Sequence, residues 1–453
     1  MNSSIVPSMR RAASWTAMFV TCAVLQAADT RTWKSVDGKS LEGVFDKIEG
    51  DNVIIKTSDG RAVSVPKTRL SQGDLQYVKD VGGNVPESKP SIFADNAPKN
   101  NKVPIPAKEA KVDRKAFVKK KDLFYVAQVL FNTVETPHFY INYLGNVGDP
   151  DDLGECAERL WQEMAFYHPD FAAKWGDKRM AVFFTEKDAD YNNLGKWYRD
   201  MLAKSNPDSD EVRKAISEMA TVWPQTSAAA IMMDAETADK YKTHPSAPTL
   251  HIKDPKQNNG GVWSPFRTHF LSEALLEFEA GATQSFASKG RFALFTGYAY
   301  FKEIQLCGES RTSLISAKYE DGGATKTAGG FTNSKDWSGE LKKILRGGAY
   351  VTKSPVKGGK DTKTPIEQII ALDRIFALER NTSNPVDIAL IYALIEFMHS
   401  TQDRVTGFSK LIDTIDKARQ IPDLADIVKL FGFPTAEEFQ KAWLEWMKSP
   451  QFK

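Results

Sequence analysis

Apolar positions recur along this chain with two different periods, separated by a stretch that has neither. Between Arg31 and Val81 the runs are short and strand-like. Leu41 to Ile48 holds Val44 and Phe45, and Asn52 to Thr57 holds Val53, Ile54 and Ile55. Ala62, Ser64 and Pro66 then alternate with Val63 and Val65, the two-residue repeat of a half-buried strand. Asp37-Gly38 and Asp59-Gly60 supply turns between the runs. Ser71 with Asp74 three residues later reads as an N-cap and first-turn acid for a short helix holding Leu75, Tyr77 and Val78. Four or five short strands and one turn of helix are predicted for residues 29–82.

Residues 83–122 sustain no apolar period. Pro86, Pro90, Pro98, Pro104 and Pro106 are interspersed with Asn, Ser and Lys, the composition of a solvated linker. Its end is basic, with Lys108, Lys111, Arg114, Lys115, Lys119, Lys120 and Lys121, diluted by Glu109, Asp113 and Asp122. A polybasic tether of this kind can touch an anionic envelope surface, although a solvated spacer explains the composition more simply.

From 123 to 453 the period changes from strand to helix. His138 to Tyr143 alternates as a strand, and Asp151 to Tyr167 carries Leu153, Cys156, Leu160, Met164 and Tyr167 at helical spacing. Met180 to Thr185, Ala228 to Met233 and Leu250 to Ile252 read as further strands. Ser264 caps a helix with Pro265 at its first position, and Gly281 ends it. A second helix spans Arg291 to Cys307, interrupted at Gly297. A Gly- and Lys-rich loop is expected from Asp321 to Lys363. Helices follow over Ile366–Leu378, Val386–His399, Val405–Ala418, Leu424–Phe431 and Ala436–Met447. Strands first and helices after predict an α+β domain that ends in a helical bundle.

The first 28 residues are read as an address. Arg10 and Arg11 precede an apolar run from Ala12 to Ala28 that closes on the small residues Ala27 and Ala28, the layout of a secretory signal peptide. The run is shorter than the about 20 residues a membrane span needs. Export to a periplasmic, cell-surface or extracellular location is therefore expected, and no transmembrane span. The 453 residues carry 60 Lys and Arg against 58 Asp and Glu, a net charge of +2, and without Arg10 and Arg11 the remainder is neutral. Such a balance gives no electrostatic reason to seek nucleic acid. Three cysteines exclude a disulfide scaffold. Cys156 and Cys307 are left either to form one bridge or to remain buried thiols.

The N-terminal pattern has the outline of an SH3-like barrel, and its residues resemble the Sla homology domain. The match runs in order through Arg31-Thr32-Trp33, Asp37-Gly38-Lys39, Val44-Phe45, Val53-Ile54-Ile55, Asp59-Gly60, Val65-Pro66, Leu70-Ser71 and Asp74 with Tyr77. The resemblance implies a small protein-binding module, with Trp33 and Phe45 as candidate binding residues, and a bacterial source among exported proteins. A spacer that binds nothing is the competing reading.

The order of elements from His138 to Met447 resembles the gluzincin metallopeptidases of the peptidase-MA-like type. Their chemistry needs two His one helical turn apart, a Glu between them as general base, and a third ligand from a following helix. Here the first motif falls on His269-Phe270-Leu271-Ser272-Glu273, so Phe270 stands where the base should be and Glu273 where the second His should be. The second falls on Ala293-Leu294-Phe295-Thr296-Gly297-Tyr298-Ala299, where Thr296 replaces the third ligand. His269, Phe270, Glu273 and Thr296 are thus vestigial positions, and no catalytic residue is expected.

A metal held by His269, Glu273 and Glu277, which share one stripe of the helix, is the weaker alternative to a buried His hydrogen-bonded to a Glu. The remaining histidines, His138, His168, His244, His251 and His399, form no pair at i, i+3 or i, i+4, and His138 reads as a strand-start residue. Glu155 and Glu158 read as a solvated helix face. No phosphate-binding loop and no G-x-S-x-G elbow occurs. Three functions remain open. The first is a secreted non-catalytic binder or scaffold, a pseudoenzyme that needs no cofactor and takes a protein or peptide partner. The second is a metal-dependent peptidase with an unusual ligand set, zinc being the implied metal. The third is a structural cell-envelope protein.

Overall fold

The computed structural model describes residues 31–34, 40–49, 52–57, 61–66, 70, 78, 103–205, 209–252, 261–281, 289–312, 334–352, 360–380 and 383–452. The expected leader, the turns at Asp37-Gly38 and Asp59-Gly60, the Ser71 helix start and the first part of the linker lie outside them. The chain divides into two compact units, a small one whose described residues fall between 31 and 78 and a large one whose described residues begin at 103.

The small unit is an antiparallel meander of β1 (Arg31–Lys34), β2 (Ser40–Glu49), β3 (Asn52–Thr57) and β4 (Ala62–Pro66). The ten-residue β2 shifts register between Phe45 and Lys47, a bulge that bends the strand. Trp33, Val53, Ile55, Leu70 and Val78 form the core, with Leu41, Phe45 and Val65 packed at its margin.

The large unit is mixed α and β. Its first helix is α1 (Pro106–Glu109) and its first strands are β5 (Val118–Val126), β6 (Val129–Glu135) and β7 (Phe139–Leu144). Then come α2 (Pro150–Tyr167), α3 (Phe171–Trp175), β8 (Met180–Thr185), α4 (Asp188–Ser205), α5 (Asp210–Val222), β9 (Ala228–Met232), α6 (Ala235–Tyr241) and β10 (Ser246–His251). The six strands form one sheet in the order β5-β6-β7-β8-β10-β9. Pairs β7–β8 and β8–β10 are parallel and the outer pairs antiparallel. Each face of the sheet is covered, which is why β8 is apolar without alternation. Phe139, Ile141, Val182 and Phe184 face the main helical core, whereas Tyr140, Ala181 and Phe183 face Tyr191, Leu194, Tyr198 and Trp223.

The remaining elements are helical apart from one hairpin. They are α7 (Pro265–Glu279), a π-helical turn over Phe292–Thr296 leading into α8 (Gly297–Cys307), and α9 (Ser334–Gly347). The hairpin β11 (Ala349–Thr352) and β12 (Thr362–Pro365) leads to α10 (Ile366–Ile369), α11 (Leu372–Phe376), α12 (Pro385–Met398), α13 (Gln402–Ala418), α14 (Leu424–Leu430) and α15 (Ala436–Lys448). Helix α12 is buried all round, as a central bundle helix must be. A capping box starts it: the Asn384 side chain accepts from the Asp387 amide at 3.1 Å, and Asp387 accepts from the Asn384 amide at 2.9 Å.

Several expectations need correction. Residues 103–122 are no solvated tether. Ala107 is buried and its amide donates to Glu163 at 2.9 Å, Phe117 packs on the core, and Lys119–Lys121 lie within β5. Arg114 meets Asp152 and Glu155 at 2.5 Å each, and Lys119 meets Asp151 at 3.2 Å. Arg114 and Lys119 meet the acidic start of α2 and Lys120 pairs with Glu135, so three charges of the basic run are matched inside the chain. Glu155 and Glu158 are buried, not solvated, at 6% and 2% exposure. The expected loop 321–363 contains α9 and the β11–β12 hairpin, and the expected helix 366–378 is two short ones.

Candidate functional site

Helix α7 carries the residues singled out from the sequence. Ser264 precedes it in extended conformation and Pro265 takes the first position, where a missing N–H costs nothing. The helix lies between α8, α2, β10 and α13. Most of its positions are buried, including the polar Arg267, Thr268, His269 and Ser272. Only Phe270, Glu273, Ala274, Glu277 and Phe278 keep partial exposure within it.

Three successive turns of α7 are tied to the neighbouring helical segment. His269 Nδ1 lies 2.9 Å from Glu303 Oε2, and both side chains are 0% exposed. The other carboxylate oxygen of Glu303 accepts from the Arg311 amide at 2.7 Å and from the amide and hydroxyl of Thr312 at 3.1 Å each. An ionised carboxylate only accepts, so with Glu303 in that form the proton of this contact sits on Nδ1. His269 Nε2 is buried with no hydrogen-bond partner among the described residues, and Tyr300 packs edge-on against the ring. One turn on, Glu273 accepts from the Thr296 hydroxyl at 2.8 Å. One further turn on, Glu277 pairs with Arg291. Burial lifts the Glu277 carboxyl to about 7; Arg291 pulls it down and Glu273 pushes it up.

The π turn sits where Thr296 reaches Glu273. Such turns are rare and recur at functional sites. Gly297 follows it because α12 comes too close for a side chain: a Cβ there would lie 2.9 Å from the Ile391 carbonyl. The positions to which the metallopeptidase resemblance assigns the second and third ligands, Glu273 and Thr296, are therefore neighbours in space. His269, at the first ligand position, turns its Nδ1 to Glu303 instead.

These residues do not fit a zinc ion. Zinc requires three protein donors converging on one point. Here Glu273 holds Thr296 and Glu277 holds Arg291, and among the described residues no group of three His, Cys, Asp or Glu gathers to hold a metal. Phe270 has no atom that takes up a proton.

The other candidates lie elsewhere. Trp33 is a core residue, 1% exposed, whose indole donates to the Gly43 carbonyl at 3.0 Å; Phe45 is half-buried beside it. A side chain so enclosed offers a ligand almost no surface. His138 immediately precedes β7, stacks on Trp161 at 3.6 Å, and shares Glu158 with Thr136. Sequence reasoning missed Glu303, and also the buried ion pair between Lys302 and Glu163. The available signal was two adjacent charges, Lys302-Glu303, inside the apolar run from Tyr298 to Leu306. Comparison with protein-family models, curated proteins and solved structures returns no match.

Proposed function

We propose that this chain is a non-catalytic protein- or peptide-binding scaffold, in which a small SH3-like module precedes a large domain built on a degenerate gluzincin plan. The observation that carries this reading is the set of cross-links on α7. The two positions that would ligate zinc from α7 are occupied by His269 and Glu273, each hydrogen-bonded to a residue C-terminal to α7. Peptide hydrolysis needs an activated water and a base to take its proton. Phe270 removes the base, and the bonds to Glu303 and Thr296 convert ligand positions into structural links. A protein that loses its chemistry in this way keeps its surface. The partly exposed stripe of Phe270, Glu273, Ala274 and Glu277 combines apolar and acidic character suited to an extended peptide. The reading includes export by the leader and a place at the cell envelope, supported by the sequence pattern of the first 28 residues.

The test is peptide display against the immobilised full chain, followed by calorimetry on selected peptides and mass spectrometry of the same mixtures. Selected peptides are expected to bind intact, and Phe270→Asp is expected to weaken binding about tenfold, or about 1.4 kcal/mol. Cleavage of the peptides, stopped by a chelator and by His269→Ala, would overturn the proposal, as would affinity indifferent to Phe270→Asp.

A further inference from the structure

Helices α2 and α8 bring two thiols to one hydroxyl of α7, which also carries a buried guanidinium. Cys156 on α2 is fully buried and Cys307 is the last residue of α8, partly exposed; both are free. Their sulfurs address the same atom. Cys307 Sγ donates to Thr268 Oγ1 at 3.5 Å, and Cys156 Sγ lies 3.9 Å from it. Arg267, the residue before, is 0% exposed. Its Nε donates to the Val262 carbonyl at 3.2 Å, while one terminal nitrogen has no partner among the described residues. A buried guanidinium with an unused donor is costly unless something nearby carries negative charge at some stage. A thiolate is such a charge, and Arg267 lies close enough to favour that form of both sulfurs.

We propose that Cys156 and Cys307 form a reversible disulfide clasp between α2 and α8, closed by exchange with a small-molecule or protein disulfide. Cys307 is the entry thiol because only its side chain is partly exposed. Its thiolate attacks one sulfur of the incoming disulfide, forms a mixed disulfide and releases one thiolate. Cys156 then attacks Cys307 Sγ, forming the Cys156–Cys307 bond and releasing the second thiolate. Two thiol protons leave with the two released groups, and the two electrons reduce the incoming disulfide to two thiols.

Closure requires the Thr268 hydroxyl, which both sulfurs approach, to rotate aside and the end of α8 to shift. Gly308, which follows Cys307, ends α8 in the left-handed conformation at φ 80°. Burial raises both thiols above the ordinary cysteine value, Cys307 to about 12, so closure is slow at neutral pH and faster in alkali.

The experiment uses the full chain and oxidised glutathione as the probe, with peptide mapping by mass spectrometry before and after reductant. The expected result is a Cys156–Cys307 cross-linked peptide pair, simultaneous loss of iodoacetamide labelling at both residues, and full recovery on reduction. Cys156→Ser is expected to stop at the mixed disulfide, leaving Cys307 glutathionylated. The proposal is overturned if the wild-type chain itself stops with glutathione on Cys307 and a free Cys156. It is equally overturned if both thiols stay unreacted after prolonged exposure at alkaline pH.

Discussion

Replacing Glu303 tests whether the His269 position is now structural. The carboxylate is fully buried and meets four donors: His269 Nδ1 at 2.9 Å, the Arg311 amide at 2.7 Å, and the Thr312 amide and hydroxyl at 3.1 Å. Glu303→Ala leaves these donors unpaired in a dry interior and opens a void. Breaking such a buried pair costs about 3–5 kcal/mol. Glu303→Gln is milder. Its carbonyl oxygen still serves Arg311 and Thr312, but its amide nitrogen now faces the His269 Nδ1–H. Relief requires His269 to move its proton to Nε2, which is buried without a partner. One such mismatch costs about 1–3 kcal/mol. Urea unfolding followed by tryptophan fluorescence separates the cases: at a slope of about 3 kcal/mol per molar, the alanine variant shifts the midpoint by about 1 M or more, and the glutamine variant by about half that. An alanine variant within about 0.5 kcal/mol of wild type would show that Glu303 does not hold these four donors in the interior, because only a surface-like site tolerates that change. Equal damage from both variants would refute the assignment of the three Oε1 bonds.

Gly297→Ala places a methyl 2.9 Å from the Ile391 carbonyl and 3.0 Å from Ile395, and a backbone atom cannot swing aside. A loss of about 1–3 kcal/mol is expected in the same unfolding assay, and a neutral result would show that α8 and α12 are not so closely packed. Stability should also depend on pH in two opposed ways. Burial holds Glu277, Glu279 and Glu396 at about 7 against an ordinary 4.5, so the folded chain retains protons that the unfolded chain releases, and stability falls as pH rises through that window. Burial holds His168 and His399 at about 3 and His244 at about 4 against an ordinary 6.5, so stability falls as pH drops below 6.5. The two sets nearly cancel between 4.5 and 6.5, and below 4.5 proton uptake by the histidines of the unfolded chain is unopposed. The urea midpoint should be level across the first window and fall steeply below it; a steep fall already at pH 6 would contradict the raised glutamates, whose opposing slope would then be missing.

Elements whose signals are local were legible in the sequence. Ser264, Pro265 and Gly281 bracket α7 within two residues, because caps act through adjacent backbone groups. The apolar β8 stood out because both faces of its sheet are covered. Strands β5 and β6 did not, since Lys119, Lys120 and Lys121 give β5 the composition of a tether until Asp151 and Glu135 are placed beside it. Glu158 failed for a related reason. On its own helix it looks solvated, and only the segment leading into β7, at Thr136 and His138, makes it an acceptor. The site was legible as a stripe, His269, Glu273 and Glu277, but not as a set of bonds. Glu303 lies 34 residues beyond His269, and nothing in either helix's own period announces the pairing.

Elemental mass spectrometry answers whether this chain holds the zinc that peptide hydrolysis would need. The full chain should be purified without chelators and without a histidine tag. Zinc far below one equivalent per chain, unchanged in His269→Ala, is the expected result. About one zinc per chain, lost in that variant, would show that His269 still ligates a metal.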